Sequence, residues 1–212
     1  MDPIPENWPP APPQVLPLFP LANVWLFPYV ILPLHIFEPR YRQMIEDILD
    51  DTGRFVLGTI EEGHEAELQG APPVYPIAGL GEIGRHERLE NGRFEILLLG
   101  LKRVHVREVE SDRLYRRVEI AAAEETPTAP EKEPRLRKQL ERALIERTKG
   151  EASLGQEVSI SHLADRLSLH MPLPHQVLNE LYCELDEERR ARRALAEHRR
   201  RPSRTEEEGE DS

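Results

Sequence analysis

An uncharged, proline-rich stretch near the start of the chain limits its fold more than any other feature. Residues 7–37 contain no Asp, Glu, Lys or Arg, a run long enough for a membrane-spanning helix. Eight prolines lie within it. Each interior proline removes a helical hydrogen bond at a cost of about 3 kcal/mol, and a lipid-exposed segment must satisfy its own backbone. The stretch therefore predicts a proline-rich lead followed by short buried strands, and no membrane span.

Charge and cysteine content narrow the class of protein. The 212 residues carry 28 Lys and Arg against 39 Asp and Glu, a net charge of −11. This acidic balance argues against a protein that coats nucleic acid. The single cysteine, Cys183, excludes a disulfide framework and a multi-cysteine zinc site, and we expect no metal or cofactor. Asp2 and Glu6 make a signal peptide a poor fit, so we expect a cytoplasmic protein.

Composition divides the chain into four parts. Residues 1–13 form a proline-rich flexible lead, and residues 14–124 are strand-like. Residues 126–134 contain three prolines and are typical of a linker. We predict a helical subdomain over residues 125–198 and a disordered tail, rich in Arg and then acidic, over residues 199–212.

Local patterns predict elements of the strand-like part. Val15–Phe19 and Val24–Phe27 are short apolar runs, and Asn91-Gly92 is typical of a hairpin with a type I′ turn. One helix is predicted from Pro39, because Tyr41, Met44, Ile45, Ile48 and Leu49 follow at helical spacing.

Three helices are predicted in the second half. The first ends near Gly150, and the second is capped by Ser159. The third begins after Pro172 or Pro174 and runs on through an Arg-rich segment to Leu195. Since these arginines alternate with glutamates, we expect a solvent-exposed helix with internal salt bridges.

Motifs for catalysis are incomplete in this sequence. Gly79–Gly84 matches the dinucleotide pattern G-x-G-x-x-G, but the hairpin at Asn91-Gly92 leaves no room for the helix that the motif requires. A glycine-spaced strand is the better interpretation. His64-Glu65 lacks the second histidine of a zinc-protease motif. We therefore predict no catalytic residues and no enzyme activity.

Three groups of segments carry a resemblance to a known family. They are residues 16–41, with the block Leu-Pro-Leu-His-Ile-Phe-Glu-Pro-Arg-Tyr, then segments within residues 73–103, and finally residues 163–167 and 185–190. Together they resemble the Lon protease N-terminal substrate-binding domain. The chain looks most like the short bacterial proteins that carry this domain alone.

The resemblance implies an α+β fold, a PUA-like β pseudobarrel with one packed helix followed by a C-terminal α-helical bundle. It also implies a non-catalytic module that binds unfolded or tagged polypeptide, or docks onto a protease or chaperone partner, in protein quality control or proteolysis. The chain ends before an ATPase or protease domain would begin, so we do not expect those activities.

Two sets of residues are candidates for the site. We predict that Trp25, Phe27 and Tyr29 are exposed and contact peptide. The family often has glycine where Tyr29 stands, which implies a changed turn or an exposed aromatic side chain. The family block is expected to be architectural, with Arg40 paired to a carboxylate across the domain; it includes Leu34, His35, Phe37, Glu38, Pro39, Arg40 and Tyr41.

Two other functions remain open at this point. Because PUA-like folds often serve RNA, a patch containing Arg85, Arg88 and Arg93 would favour an RNA-binding module. A pocket that gathers histidines and carboxylates would favour a small hydrolase.

Overall fold

The structure is a computed structural model, which describes residues 14–67, 70–150 and 158–201. The predicted lead and most of the predicted tail lie outside the described residues. The chain divides between Glu124 and Glu125 into two compact units.

The described residues of the first unit form a six-stranded sheet and one long helix. The elements are β1 (Gln14–Leu21), β2 (Ile31–Ile36), α1 (Pro39–Leu49), β3 (Arg54–Thr59), β4 (Ile77–Arg88), β5 (Phe94–Val109) and β6 (Arg116–Ala122). The sheet order is β2-β5-β4-β3-β1-β6, and β5 also pairs with β6, so five strands close into a ring that leaves β2 outside. The predicted α+β pseudobarrel is confirmed in this irregular form.

Strand β3 is buried on both faces and separates two apolar clusters. Phe55 and Leu57 pack in the cluster that includes α1, while Val56 packs with side chains of the ring interior. The predicted helix is confirmed: it starts at Pro39 and buries Tyr41, Met44, Ile45 and Ile48. This apolar stripe joins α1 to the sheet.

The hairpin between β4 and β5 forms as predicted, but its turn differs. Gly92 has a φ of +74°, whereas Asn91 is not among the described residues with positive φ. The Gly92 N–H donates to Leu89 O, and Leu89 N–H donates to Arg93 O. These bonds are those of a type I turn followed by a left-handed glycine. The type I′ prediction was therefore wrong.

The glycine-spaced motif lies inside β4, as the strand interpretation predicted. A Cβ on Gly81 would lie 2.7 Å from Leu98 Cδ1 and 2.8 Å from Leu26 Cδ2. A side chain at Gly81 would have to displace these two leucines. The motif lies within a strand rather than at the start of a helix.

The described residues of the second unit form four helices: α2 (Glu133–Arg147), α3 (Ile160–Leu169), α4 (His175–Cys183) and α5 (Glu187–Arg200). The Ser159 cap is confirmed, since its side chain accepts from the His162 N–H at 3.1 Å. The predicted single third helix is wrong. Thr126 donates to Leu185 O at 2.9 Å and accepts from Glu187 N–H at 3.0 Å, so this backbone pairing separates α4 from α5.

One arginine of α5 is fully buried rather than solvent-exposed. Arg190 Nη2 lies 2.7 Å from Glu125 Oε1, and its Nε lies 3.3 Å from Asp165 Oδ1. The expectation of a fully solvated Arg-rich helix was wrong at this position, because the side chain crosses the unit to meet two carboxylates. The helix also continues to Arg200, beyond the start of the predicted tail.

No helix among the described residues is both long and apolar enough to cross a membrane.

The hydroxyl of Tyr115 ties the chain before β6 to α1 and predicts a pH dependence. It donates to Asp47 Oδ2 at 2.8 Å. Burial, and then this hydrogen bond, raise the pKa of Tyr115 from 10.0 to about 12. Because the folded-state pKa lies above the unfolded value, the stabilisation is complete below pH 10 and is lost as pH rises through about 12.

We expect the free energy of unfolding to fall more steeply between pH 10 and 12 in the parent protein than in Tyr115→Phe. At neutral pH the variant should be about 1 kcal/mol less stable, since it lacks one hydrogen bond. Urea unfolding at several pH values measures both effects. Parallel stability curves for the two proteins would contradict the assignment.

Candidate functional site

A tight turn before β2 positions the first candidate residues. The Val30 N–H donates to Phe27 O at 3.3 Å, which closes a four-residue turn with Pro28 at its second position. Tyr29, at the third position, has a φ of +64°. Proline followed by a positive φ defines a type II turn, whose third position favours glycine. A tyrosine therefore occupies a left-handed position that favours glycine.

Gly100 of β5 holds this turn against the sheet. The Tyr29 N–H donates to Gly100 O at 2.7 Å, and the Gly100 N–H donates to Val30 O at 2.9 Å. A Cβ on Gly100 would lie 2.1 Å from the Phe27 carbonyl oxygen. Only glycine allows the two backbones to approach this closely.

The turn separates the three predicted contact residues. Trp25 and Phe27 are 9% and 1% exposed, so the expectation that they face solvent was wrong. Phe27 lies beneath the Arg103 guanidinium, 5.4 Å from its ring centre, because the contact with Gly100 draws this segment onto the sheet. Val24–Phe27 forms a loop here, not a strand. Tyr29 is 71% exposed, as predicted.

Exposed apolar side chains continue from Tyr29 along one face of β2 and β5. Ile31 is 61% exposed and lies opposite Leu99, and Pro33 lies opposite Leu97. Phe37, just after β2, is 56% exposed. We call this surface the apolar strip; its members are Tyr29, Ile31, Pro33, Phe37, Leu97 and Leu99.

Four members of the apolar strip were not predicted from the sequence: Ile31, Pro33, Leu97 and Leu99. A signal was available in the run Leu97-Leu98-Leu99, because successive residues of a strand face opposite sides. Leu98 is buried, so its neighbours must face outward. A strand with leucine on both faces therefore indicated an exposed apolar surface.

A groove of about 500 Å³ crosses β2, β5 and β4, and Pro33 and Leu97 of the apolar strip line part of it. It brings together two histidines and two carboxylates, and His35 Nδ1 lies 3.9 Å from Glu95 Oε1. Both side chains of this pair are substantially exposed. No Ser, Thr or Cys is among the described residues that line the groove, so their side chains supply no hydroxyl or thiol nucleophile. Its polar members are His35, Arg85, His86, Glu87 and Glu95.

The family block divides between core and surface. Tyr41 is buried and Leu34 packs against the main cluster, as expected of architecture. His35 and Phe37 instead face solvent, with their rings stacked at 6.1 Å. Arg40 meets Glu38, two residues away, at 2.9 Å. Pro39 opens α1, with Glu38 as the preceding residue.

The three arginines of the RNA hypothesis do not form an uninterrupted basic surface. Arg88 is bound to Glu46 at 2.8 Å. Arg85 and Glu87 are two residues apart on β4 and therefore share one face of the sheet. Glu87 also lies opposite Glu95 on β5. Acidic groups thus offset this patch, whereas a nucleic-acid site favours a continuous positive surface.

Within the described part of the chain, no cluster of three or more His, Cys, Asp and Glu side chains could hold a metal ion. The arrangement on β2 and β5 is chemically an apolar contact surface with a polar groove along one side.

Comparison with known proteins identifies the family of this chain and several of its relatives. The family model of the ATP-dependent protease La (LON) substrate-binding domain matches residues 15–197, which confirms the resemblance. Lon protease 2 of Syntrophobacter fumaroxidans is 26% identical over 120 residues, covering 56% of this chain and 15% of that protein. Lon protease 2 of Myxococcus xanthus is 26% identical over 172 residues, covering 76% and 21%. The chain thus spans a small part of these relatives.

Two solved structures share the fold. The Lon N-terminal domain protein from Xanthomonas campestris has a TM-score of 0.63 and 24% identity, covering 86% of this chain and 98% of that one. The N-terminal domain of the Mycobacterium avium complex Lon protease has a TM-score of 0.67 and 15% identity, covering 88% and 98%.

The contact between Gly100 and the turn predicts a large effect of one methyl group. Gly100→Ala places its Cβ against the Phe27 carbonyl, so we expect a loss of about 2–3 kcal/mol in the free energy of unfolding. Gly84→Ala is the matched control, because its Cβ would meet only Leu97 O at 3.8 Å. It should change stability by less than about 0.5 kcal/mol. Equal losses in urea unfolding would contradict this role of Gly100.

Proposed function

Because this chain belongs to the Lon substrate-binding domain family, we propose that it captures apolar segments of polypeptides on the apolar strip. The observation that carries the proposal is the exposure of Tyr29, Ile31 and Phe37 along one face. Contiguous apolar surface that stays exposed in a folded protein marks sites of interaction.

The chemistry of the apolar strip favours polypeptide over other ligands. Its members carry no charge, and β2 contains no Asp, Glu, Lys or Arg. The side chains of the apolar strip themselves offer a nucleic acid no phosphate contact. An unfolded protein exposes apolar side chains that its folded form buries. Covering them on the apolar strip would contribute about 25 cal/mol of binding free energy per Å² of apolar surface buried.

The wider role follows from the same proposal. The chain acts in the cytoplasm as a non-catalytic module of protein quality control or proteolysis. It binds unfolded or tagged polypeptide, or docks onto a protease or chaperone partner. The groove beside the apolar strip contributes polar contacts with the bound segment, not a chemical step.

The test compares an unfolded probe with its folded form. The probe is reduced, carboxymethylated α-lactalbumin, and native α-lactalbumin is the folded control; fluorescence anisotropy measures both. We expect saturable binding of the unfolded form without ATP. The double variant Leu97→Thr/Leu99→Thr should bind at least about tenfold more weakly, because two partly exposed leucines lose their contacts. Threonine retains the strand preference of these positions.

Leu114→Thr is the matched control, since Leu114 is also exposed but lies in the loop between β5 and β6. It should bind like the parent protein. Equal binding by the parent and the double variant would remove the apolar strip from the proposal. Binding of a single-stranded RNA oligonucleotide that weakens steeply with salt, with no binding of the probe, would favour the RNA-binding alternative instead.

A further inference from the structure

Strand β2 has an outer hydrogen-bonding edge with which no strand of the described residues pairs. In the described part of the chain, β2 pairs with β5 alone and ends the sheet order. The ring of five strands has no such end, because β5 pairs with both β4 and β6. The outer edge of β2 is therefore the place where this sheet can accept another strand.

The register fixes which backbone groups lie on that edge. Gly100 N–H donates to Val30 O, and Val30 lies one residue before the pair Ile31–Leu99. Even-numbered residues of β2 thus bond to β5, and odd-numbered residues point their N–H and C=O groups away from it. The position of Pro33 is consistent with this pattern: a proline has no N–H to donate, and at an odd-numbered position none is needed for pairing with β5. The outer edge offers the N–H groups of Ile31 and His35 and the carbonyls of Ile31, Pro33 and His35.

This edge has few of the features that protect exposed strands. Natural edge strands are commonly guarded by charged side chains, especially lysine, or by bulges and short length. Strand β2 has no charged residue along its sequence Ile-Leu-Pro-Leu-His-Ile. Pro33 is its one protective residue, and it removes only one donor between two others. The charge-free segment that dominates the sequence thus leaves an open edge beside an apolar face.

We propose that a captured polypeptide segment adds to the outer edge of β2 as a further strand. Its backbone bonds to Ile31, Pro33 and His35, and its alternate side chains extend the apolar strip. This inference rests on the proposed function and adds the mode of binding. It names the ligand class as an extended, uncharged segment with apolar residues at every second position.

The chemistry of the edge selects this occupant. Donors and acceptors that repeat at the spacing of a strand are complemented by another extended backbone. The apolar face then favours apolar side chains at alternate positions, because these lie on one side of an added strand. The nearest charges, Arg85, Glu87 and Glu95, are mixed in sign and give no preference for a charged segment.

The first arm of the test uses the full chain and a fluorescent peptide of alternating Val and Thr residues. His35→Pro removes one outer-edge N–H while leaving the bonds to β5 in place, as Pro33 already does two residues earlier. We expect it to bind the peptide about fivefold more weakly than His35→Ala, which keeps the N–H and lacks the same side chain. Equal affinities of the two variants, both folded by circular dichroism, would overturn the proposal.

The second arm needs no variant. Amide hydrogen exchange of the parent protein, followed by NMR, should show fast exchange at Ile31 and His35 that slows at least about tenfold in the peptide complex. The amides of Leu32 and Leu34, which bond to β5, should be protected in both states. Binding without added protection at Ile31 and His35 would overturn edge pairing and leave the proposed function standing. No binding of peptide or of unfolded α-lactalbumin would overturn both.

A third arm addresses a second copy of the chain as occupant. Light scattering should give a monomer mass at concentrations that saturate the peptide. A stable dimer that Ile31→Pro dissociates would assign the edge to self-association and overturn capture by strand addition.

Discussion

The approach of the Phe27 carbonyl to Gly100 determines how this β unit presents its surface. A side chain at Gly100 would fall 2.1 Å from that oxygen, so the turn can dock only on glycine. The two backbone bonds beside it fix the register of β2 on β5. Because a strand alternates its faces, a slip of β2 by one residue would turn Ile31 and Pro33 inward and expose Ile36. This single contact therefore decides which side chains meet solvent.

The same contact explains why the Tyr29 side chain is exposed to solvent while the Phe27 side chain is buried. The turn requires a positive φ at its third position, where a residue other than glycine costs about 1–2 kcal/mol. Backbone strain of this kind persists where the surrounding structure enforces it, and it clusters at functional sites. Tyr29 is exposed in this conformation, and under the proposed function its ring is retained for contact with a captured polypeptide. Strand β2 then carries that contact surface along its open edge.

Local sequence predicted the elements that depend on neighbours in the chain. The helix from Pro39, the hairpin at Asn91-Gly92 and the cap at Ser159 follow from residue preferences a few positions apart. The burial of Phe27 could not be predicted in this way, because its carbonyl docks on Gly100, more than seventy residues later in the chain. The burial of Arg190 was missed for the same reason, since its carboxylate partners come from distant segments.

The most direct test of this account measures stability and affinity together in Tyr29→Gly. Glycine relieves the strained φ, so urea unfolding should show a gain of about 1 kcal/mol in stability. Loss of the exposed ring should weaken the binding of unfolded α-lactalbumin several-fold, which is about the effect of losing one aromatic contact. Opposite changes in the two quantities would support a tyrosine retained for binding. Unchanged affinity in a stabilised variant would contradict the central claim.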